Sequence, residues 1–120
     1  MAFRKGDAVS RDASFAESLR EALGDTYFND PAISQVDKTL FTFASYNAGQ
    51  NRIVRLRKKA AQDGLDPNKW FGNVELEVAQ SIGQETVTYV DNIYKYYVAY
   101  KLTLQERMRK EKAKTGIAAE

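Results

Sequence analysis

The chain has 120 residues, of which 43% are hydrophobic and 28% charged, the composition of one globular domain. Its 18 Lys and Arg against 16 Asp and Glu leave a net charge of +2, too small to indicate a nucleic-acid partner. The absence of Cys and His excludes disulfides, thiol catalysis, thiolate zinc sites and imidazole chemistry. We therefore expect no metal and no cofactor, and any chemistry must come from carboxylates, hydroxyls, amides and cations.

The distribution of apolar residues gives no sign of a leader or a membrane span. Residues 1–15 lack an apolar run long enough for a signal peptide, and no window of the sequence approaches the length that crosses a bilayer. As written, the sequence predicts a cytoplasmic chain unless it is exported by other means. We expect a flexible tail over residues 1–13, a folded domain over 14–104 and a charged extension over 105–120.

Hydrophobic spacing predicts an all-α fold of about five helices, because apolar residues recur at intervals of three and four and no stretch alternates strictly. The first predicted helix carries Phe15 and Leu19 and ends at Gly24. The second runs from Pro31 to Ala48, with Asp30 as its N-cap. Its apolar stripe consists of Ile33, Val36, Leu40, Phe43 and Ala44.

The third predicted helix begins near Asn51 and ends near Gly64. Its apolar positions are Ile53, Leu56 and Ala60, and its other faces carry Arg52, Arg55, Arg57, Lys58 and Lys59. We interpret this basic cluster as a solvated helix face, and attraction of an acidic polymer remains an alternative. In the turn that follows, Trp70 and Phe71 are expected to pack onto the core.

Two further helices complete the prediction. Val74, Val78 and Ile82 mark the fourth helix, and the fifth begins after Gly83 and runs at least to Leu104. The fifth helix carries Tyr89, Tyr94, Tyr96, Tyr97 and Tyr100. These rings fit either amphipathic packing or a carbohydrate-binding groove, and composition leaves both interpretations open.

Residues Tyr46-Asn47-Ala48-Gly49, here called the Tyr-Asn motif, place an amide on the inward stripe beside a glycine. Glycine is the ordinary residue after a helix end, and it also permits close approach to the backbone. The surrounding stretch FASYNAGQNRI resembles the third motif of the soluble lytic transglycosylase family, written alanine, tyrosine, asparagine, alanine, glycine. Ser45 replaces the first alanine, and Gln50 stands where many members carry proline.

A second stretch, GQETVTYVDNIYKYY, resembles the fourth motif of the same family. Glu85 and Tyr89 match it, one helical turn apart, and residues 85–89 are here called the Glu-Thr motif. The connecting stretch GLDPNKWFGNVE resembles the subgroup typified by membrane-bound transglycosylase F. The likeness covers about Tyr27 to Leu102, so the chain resembles the C-terminal part of a lysozyme-like transglycosylase domain.

The resemblance implies that the chain acts on peptidoglycan glycan strands in the cell envelope, where family members cleave the bond from N-acetylmuramic acid to N-acetylglucosamine without hydrolysis. By this resemblance, Tyr46 and Asn47 would contact the sugar chain and Gly49 would leave room for it. Tyr89 would reach toward the catalytic acid or the muramic acid residue. Ala48 and Glu85 would support the two motifs.

The family's catalytic glutamate, which lies in a glutamate-serine pair upstream of a glycine, leucine, methionine, glutamine motif, has no counterpart that fits its context. Glu17-Ser18 matches the bare pair, but only 28 residues lie between Glu17 and Tyr46 and the second motif is absent. The catalytic residue is therefore unidentified, and we expect weak or no cleavage by this chain alone.

Without the upstream helices, an apolar groove should be exposed. Such a groove would favour an upstream fragment or self-association. A helical protein-interaction module without glycan binding is the alternative function.

Overall fold

The computed structural model describes residues 17, 18, 21 and 28–115. The helices in these residues are α1 (Gln35–Ala48), α2 (Gln50–Gln62), α3 (Glu75–Ser81) and α4 (Gln84–Thr115), with a turn at Trp70–Val74 whose backbone is not helical at Phe71 and Gly72. No strand occurs in this part of the chain, so the predicted all-α class is confirmed. The first predicted helix lies mostly outside the described residues, and four α-helices roughly match the expected five.

Helix α1 begins four residues later than predicted, because its N-cap is Ser34 and not Asp30. Asp30 Oδ1 accepts from the Ala32 N–H at 2.8 Å and so caps a turn that precedes the helix. Ser34 Oγ accepts from the Asp37 N–H at 3.1 Å and donates to Asp37 Oδ2 at 2.7 Å. The two bonds hold Ser34 as the N-cap, which sets the start of α1 at Gln35.

Helix α1 is the central element of the fold. Every residue from Lys38 to Ser45 is buried, whereas Val36, predicted on the inward stripe, is 47% exposed. The hydroxyls of Thr39 and Thr42 donate to backbone carbonyls one turn earlier, at 2.9 and 2.8 Å. These bonds satisfy polar groups in the interior, so α1 can be covered on several sides by α2, α4 and the Trp70–Val74 turn.

The loop between α2 and α3 is fixed to α1 through Trp70. Its backbone N–H donates to Asp37 Oδ1 at 2.9 Å, and its fully buried ring meets Phe41 edge-on with centroids 6.3 Å apart. The predicted packing of Trp70 onto the core is therefore confirmed. Phe71 differs, because it is 49% exposed and contacts Tyr94 with ring centroids 6.1 Å apart.

Arg57 belongs to the interior of this loop and not to the solvated face on which it was predicted. Its Nε donates to the Pro67 carbonyl at 2.8 Å, and its Nη2 donates to Asn68 Oδ1 at 2.8 Å. The guanidinium lies 5.0 Å from the centre of the Phe41 ring. Burial lowers the pKa of Arg57, while the negative charge of Asp30 opposes this shift. Arg57 thus holds the Asp-Pro-Asn turn against α1.

Helix α4 contains 32 residues, which corresponds to about 48 Å at 1.5 Å per residue. Its first half packs against α1, where Val87 and Val90 are buried and Tyr97 meets Phe43 with ring centroids 5.8 Å apart. From Leu102 to Lys114 every residue is exposed. The helix continues without a break from residue 105, where the charged extension was predicted to begin, to Thr115.

Replacing Asp37 by alanine should lower the free energy of unfolding by about 2–3 kcal/mol, because it removes the carboxylate that holds the Ser34 cap and leaves the Trp70 N–H without an acceptor. Trp70 is the only tryptophan, so urea denaturation followed by its fluorescence measures the change. Asp91→Ala, on an exposed position of α4, is the matched control and should stay within about 0.5 kcal/mol. Equal effects of the two substitutions would contradict the anchoring role.

Candidate functional site

Helices α1 and α2 are joined by Gly49 alone. Gly49 has φ 97° and ψ 134°, a backbone conformation that side-chain-bearing residues rarely adopt. Its N–H donates to the Ser45 carbonyl at 2.8 Å, and its own carbonyl accepts from the Ile53 N–H at 3.2 Å. A Cβ built at this position would meet no atom of the described residues within 4 Å. Glycine is therefore required by the dihedral angle, and the space beside it is open.

A hydrogen bond between Thr86 and Asn47 joins the two sequence motifs. The Thr86 hydroxyl donates to Asn47 Oδ1 at 2.8 Å, across a separation of 39 residues. Thr86 is buried, whereas Asn47, predicted on the inward face, is exposed apart from this contact. Within the described part of the chain, the other side-chain atom of this amide, Asn47 Nδ2, makes no hydrogen bond. The bond therefore orients the amide while leaving its donor side available to a ligand.

The predicted site residues lie at one end of the α1–α4 pair. Tyr46 is 53% exposed beside Asn47, and Gly49 follows at the end of α1. Tyr89 lies one turn after Thr86 in α4 and is partly buried against the core. The structure thus brings the Tyr-Asn motif and the start of the Glu-Thr motif to the same surface.

The two residues predicted to support these motifs differ in their surroundings. Ala48 is partly buried and packs against the core. Glu85 is exposed, and its side chain makes no hydrogen bond within the described residues. The bond between the motifs comes instead from the next residue, Thr86. The sequence did contain a signal for it, since Thr86, Val90, Ile93 and Tyr97 share one helical stripe.

Glu17, the residue of the bare Glu-Ser pair, lies far from this surface. Its Oε2 pairs with Lys101 Nζ at 3.3 Å. Lys101 follows Thr86 by fifteen residues in α4, which is roughly 22 Å along the helix axis. The ion pair therefore places Glu17 toward the opposite end of the α1–α4 pair from Asn47.

The buried carboxylate of Glu77 also belongs to a different part of the fold. Its Oε1 accepts from Lys59 Nζ at 3.2 Å, and Asp63 Oδ2 accepts from the same ammonium at 3.0 Å. Hydrogen bonds to Asp63 and Glu77 raise the pKa of Lys59. Lys59 follows Gly49 by ten residues, or roughly 15 Å along α2. Nowhere in the described residues do three or more carboxylates come together as a metal site.

A groove of about 280 Å³ lies at the other end of α1 and contains two of the five helix-α4 tyrosines. Tyr94 and Tyr97 stack with centroids 6.4 Å apart, and burial raises the pKa of Tyr94, with the charges of Tyr97 and Asp37 adding to the shift. The groove is lined by Gln35, Val36, Thr39, Tyr94, Tyr97 and Lys101. These tyrosines both pack against the core and reach the surface, so packing and ligand contact are compatible.

This chain is similar to known proteins over only part of the length of those proteins. Membrane-bound lytic murein transglycosylase F of Pseudomonas fluorescens is 26% identical over 91% of this chain and 24% of its own length. The protein of that name from Stutzerimonas stutzeri is 31% identical over 64% of this chain and 18% of its own length. The one from Pseudomonas syringae pv. tomato is 35% identical over 57% and 16%. No family model and no solved structure matches.

The chain is thus related to lytic murein transglycosylases, as its two motifs predicted. The relatives named above are of the membrane-bound F type, the subgroup indicated by the connecting stretch. The chain spans about a quarter or less of their length. Their names give no support to the expected cytoplasmic location. No helix in the described part of the chain combines the length and apolar character needed to cross a bilayer.

Replacing Ser45 by alanine should raise the free energy of unfolding by about 1 kcal/mol. Its Oγ is buried without a hydrogen-bond partner in the described residues, and such a hydroxyl is unfavourable in the interior. Ser34→Ala is the matched substitution and should have the opposite effect. It removes the N-cap of α1 and should lower the free energy of unfolding by about 1 kcal/mol. Urea denaturation compares them, and a destabilised Ser45→Ala variant would show that the hydroxyl is satisfied.

Thr86→Val should lower the free energy of unfolding by about 1 kcal/mol, because it removes the bond to Asn47 and keeps the side-chain shape. Thr88→Val, at an exposed position of the same helix, should have little effect. In an Asn47→Ala background, Thr86→Val should cost much less, which a double-mutant cycle measures. Additive effects would argue against direct coupling of the motifs.

Proposed function

We propose that the Tyr-Asn motif and the Glu-Thr motif form the glycan-contacting surface of a partial lytic transglycosylase domain directed at peptidoglycan strands of the cell envelope. The Thr86–Asn47 hydrogen bond carries this proposal, because it joins the two family-like motifs into one surface. The relationship to lytic murein transglycosylases supports the substrate class. The bonded residues are 39 positions apart in the sequence, so their meeting is a property of the fold.

The chemistry of this surface suits a neutral sugar. Asn47 Nδ2 offers an oriented donor to a sugar hydroxyl or acetamido oxygen, and the half-exposed Tyr46 ring can pack against a sugar face. At Gly49 the space where a side chain would stand is open, so a sugar can approach the backbone. Tyr89 lies on the α4 side of the same surface. Together these groups supply binding and orientation.

The described residues do not supply the acid that the family's reaction needs. A single carboxyl must protonate the leaving oxygen and then act as base, which requires a raised pKa in a partly apolar groove. Two glutamates were considered for this role, and neither fits. Glu85 is exposed, and Glu17 pairs with Lys101 far from Asn47. We therefore expect this chain to bind glycan strands while cleaving them weakly or not at all.

Incubation of the purified chain with murein sacculi tests both parts of the proposal. Co-sedimentation should show binding, and mass spectrometry of the soluble fraction should show little or no 1,6-anhydro-N-acetylmuramic acid. Asn47→Ala should weaken binding about fivefold, the equivalent of one hydrogen bond of about 1 kcal/mol. Asn92→Ala, an exposed asparagine on α4, is the matched control and should bind as the parent does.

The possible results separate the two parts. Absence of binding by the parent chain, or equal binding by both asparagine variants, would contradict the glycan surface. Abundant anhydro products that disappear on Glu17→Gln substitution would contradict the account of the missing acid, and they would make Glu17 the catalytic residue.

A second candidate function rests on a different surface. Leu102 and Met108 are each more than 60% exposed on the second half of α4, and Leu104 is also exposed. A protein-interaction module without glycan binding would use these side chains. Replacing Leu102 and Met108 by serine would then abolish partner binding, whereas the glycan proposal expects sacculus binding to remain unchanged.

A further inference from the structure

The five cations of α2 fall into two groups with different surroundings. Arg57 is held by the Asp-Pro-Asn turn, and Lys59 pairs with Asp63 and Glu77. Arg52, Arg55 and Lys58 are exposed and form no ion pair among the described residues. The basic cluster is therefore not a uniform solvated face, and three of its cations have no counter-ion among the described residues.

Arg52 and Arg55 line one groove. The groove has a volume of about 430 Å³ and lies between the first turns of α2 and the C-terminal end of α3. Its other lining residues are Leu56, Ser81 and Ile82. Leu56 and Ile82 contribute apolar side chains to the groove, and because residues three apart in a helix share a face, Arg52 and Arg55 lie on the same side of α2. Their mutual repulsion would be relieved by a bound anion.

On both the α2 side and the α3 side, the groove lies only a few residues along the chain from the proposed glycan surface. Arg52 follows Asn47 by five residues, so their Cα atoms are at most about 18 Å apart. Ile82 precedes Thr86 by four residues, which limits that separation to about 14 Å. A polymer that contacts Asn47 can therefore extend to the arginine pair with another of its units.

We propose that Arg52 and Arg55 bind a carboxylate carried by the glycan strand, an inference that rests on the proposed function. The sugar rings of peptidoglycan are neutral, and its anionic groups are the carboxylates of the peptide stems and, where a stem has been removed, the freed lactyl carboxylate of muramic acid. Guanidinium groups match the planar geometry of carboxylates and donate two parallel hydrogen bonds to them. The Ser81 hydroxyl supplies a further donor at the edge of the groove.

Three glycans separate the sources of the carboxylate. An oligomer of N-acetylglucosamine has none, amidase-treated strands carry the free lactyl carboxylate, and untreated strands carry the stem carboxylates. Isothermal titration of the full chain with each probe measures the affinities. The parent should bind at least one carboxylate-bearing strand more tightly than the neutral oligomer, and this preference should diminish as ionic strength rises. The strand that is preferred identifies the source.

Charge-removing variants test the residues. Arg52→Gln and Arg55→Gln should each weaken binding of the preferred strand about three- to fivefold, the range of a partly exposed charge pair. Neither should change binding of the neutral oligomer. Lys58→Gln removes the same charge from the same helix outside the groove and should leave all three affinities unchanged. Asn47→Ala should weaken all three.

Each contrary result has a distinct meaning. If the parent binds the three probes equally, or if Lys58→Gln acts as strongly as the arginine variants, the carboxylate site is wrong and the glycan surface stands. If the parent binds none of them, the proposed function fails and this inference fails with it. Trp70 fluorescence and urea denaturation confirm that each variant is folded, which excludes loss of structure as the cause.

Discussion

The fold depends on the carboxylate of Asp37. One oxygen accepts from the Ser34 hydroxyl and so fixes the beginning of α1, and the other accepts from the Trp70 N–H. Without the second bond, a fully buried tryptophan would leave a backbone donor unsatisfied, and the loop would lose its attachment to α1. Arg57 holds the same loop from the α2 side. Because α3 and α4 follow this loop directly, its placement determines where Thr86 meets Asn47.

The helical spacing of apolar residues correctly predicted those parts of the fold in which the residues on one face of a helix pack into the core. Ile53, Leu56 and Ala60 were predicted on the inward face of α2, and all three are buried. The predicted start of α1 was wrong because Ser34, and not Asp30, caps the helix: the Ser34 hydroxyl bonds both the backbone N–H and the carboxylate of Asp37. The location of Arg57 was also wrong, since its partners at Pro67 and Asn68 lie ten and eleven residues away and no spacing rule encodes them.

The candidate site shows the same division. Family-like motifs identified Asn47 and Tyr89, and a glycine after a helix end was expected at Gly49 from capping rules alone. Thr86 was missed, because a hydrogen bond across 39 residues depends on how α1 and α4 pack. The division of the basic cluster was missed for the same reason: whether an arginine is satisfied or available depends on elements distant in sequence. Tertiary contacts, and not composition, determine which polar groups remain for a ligand.

The single-residue connection at Gly49 has a consequence for how this sequence can change. Gly49 lies outside both helices and has non-helical dihedral angles, so inserting or deleting one residue here would change the orientation of α2 relative to α1. Either Ile53 and Leu56 would leave the core, or the two arginines would face away from the α3 end. Substitutions elsewhere on the surface can accumulate one at a time, but the spacing from Tyr46 to Arg55 has no such freedom. We therefore expect the length of this stretch to be fixed.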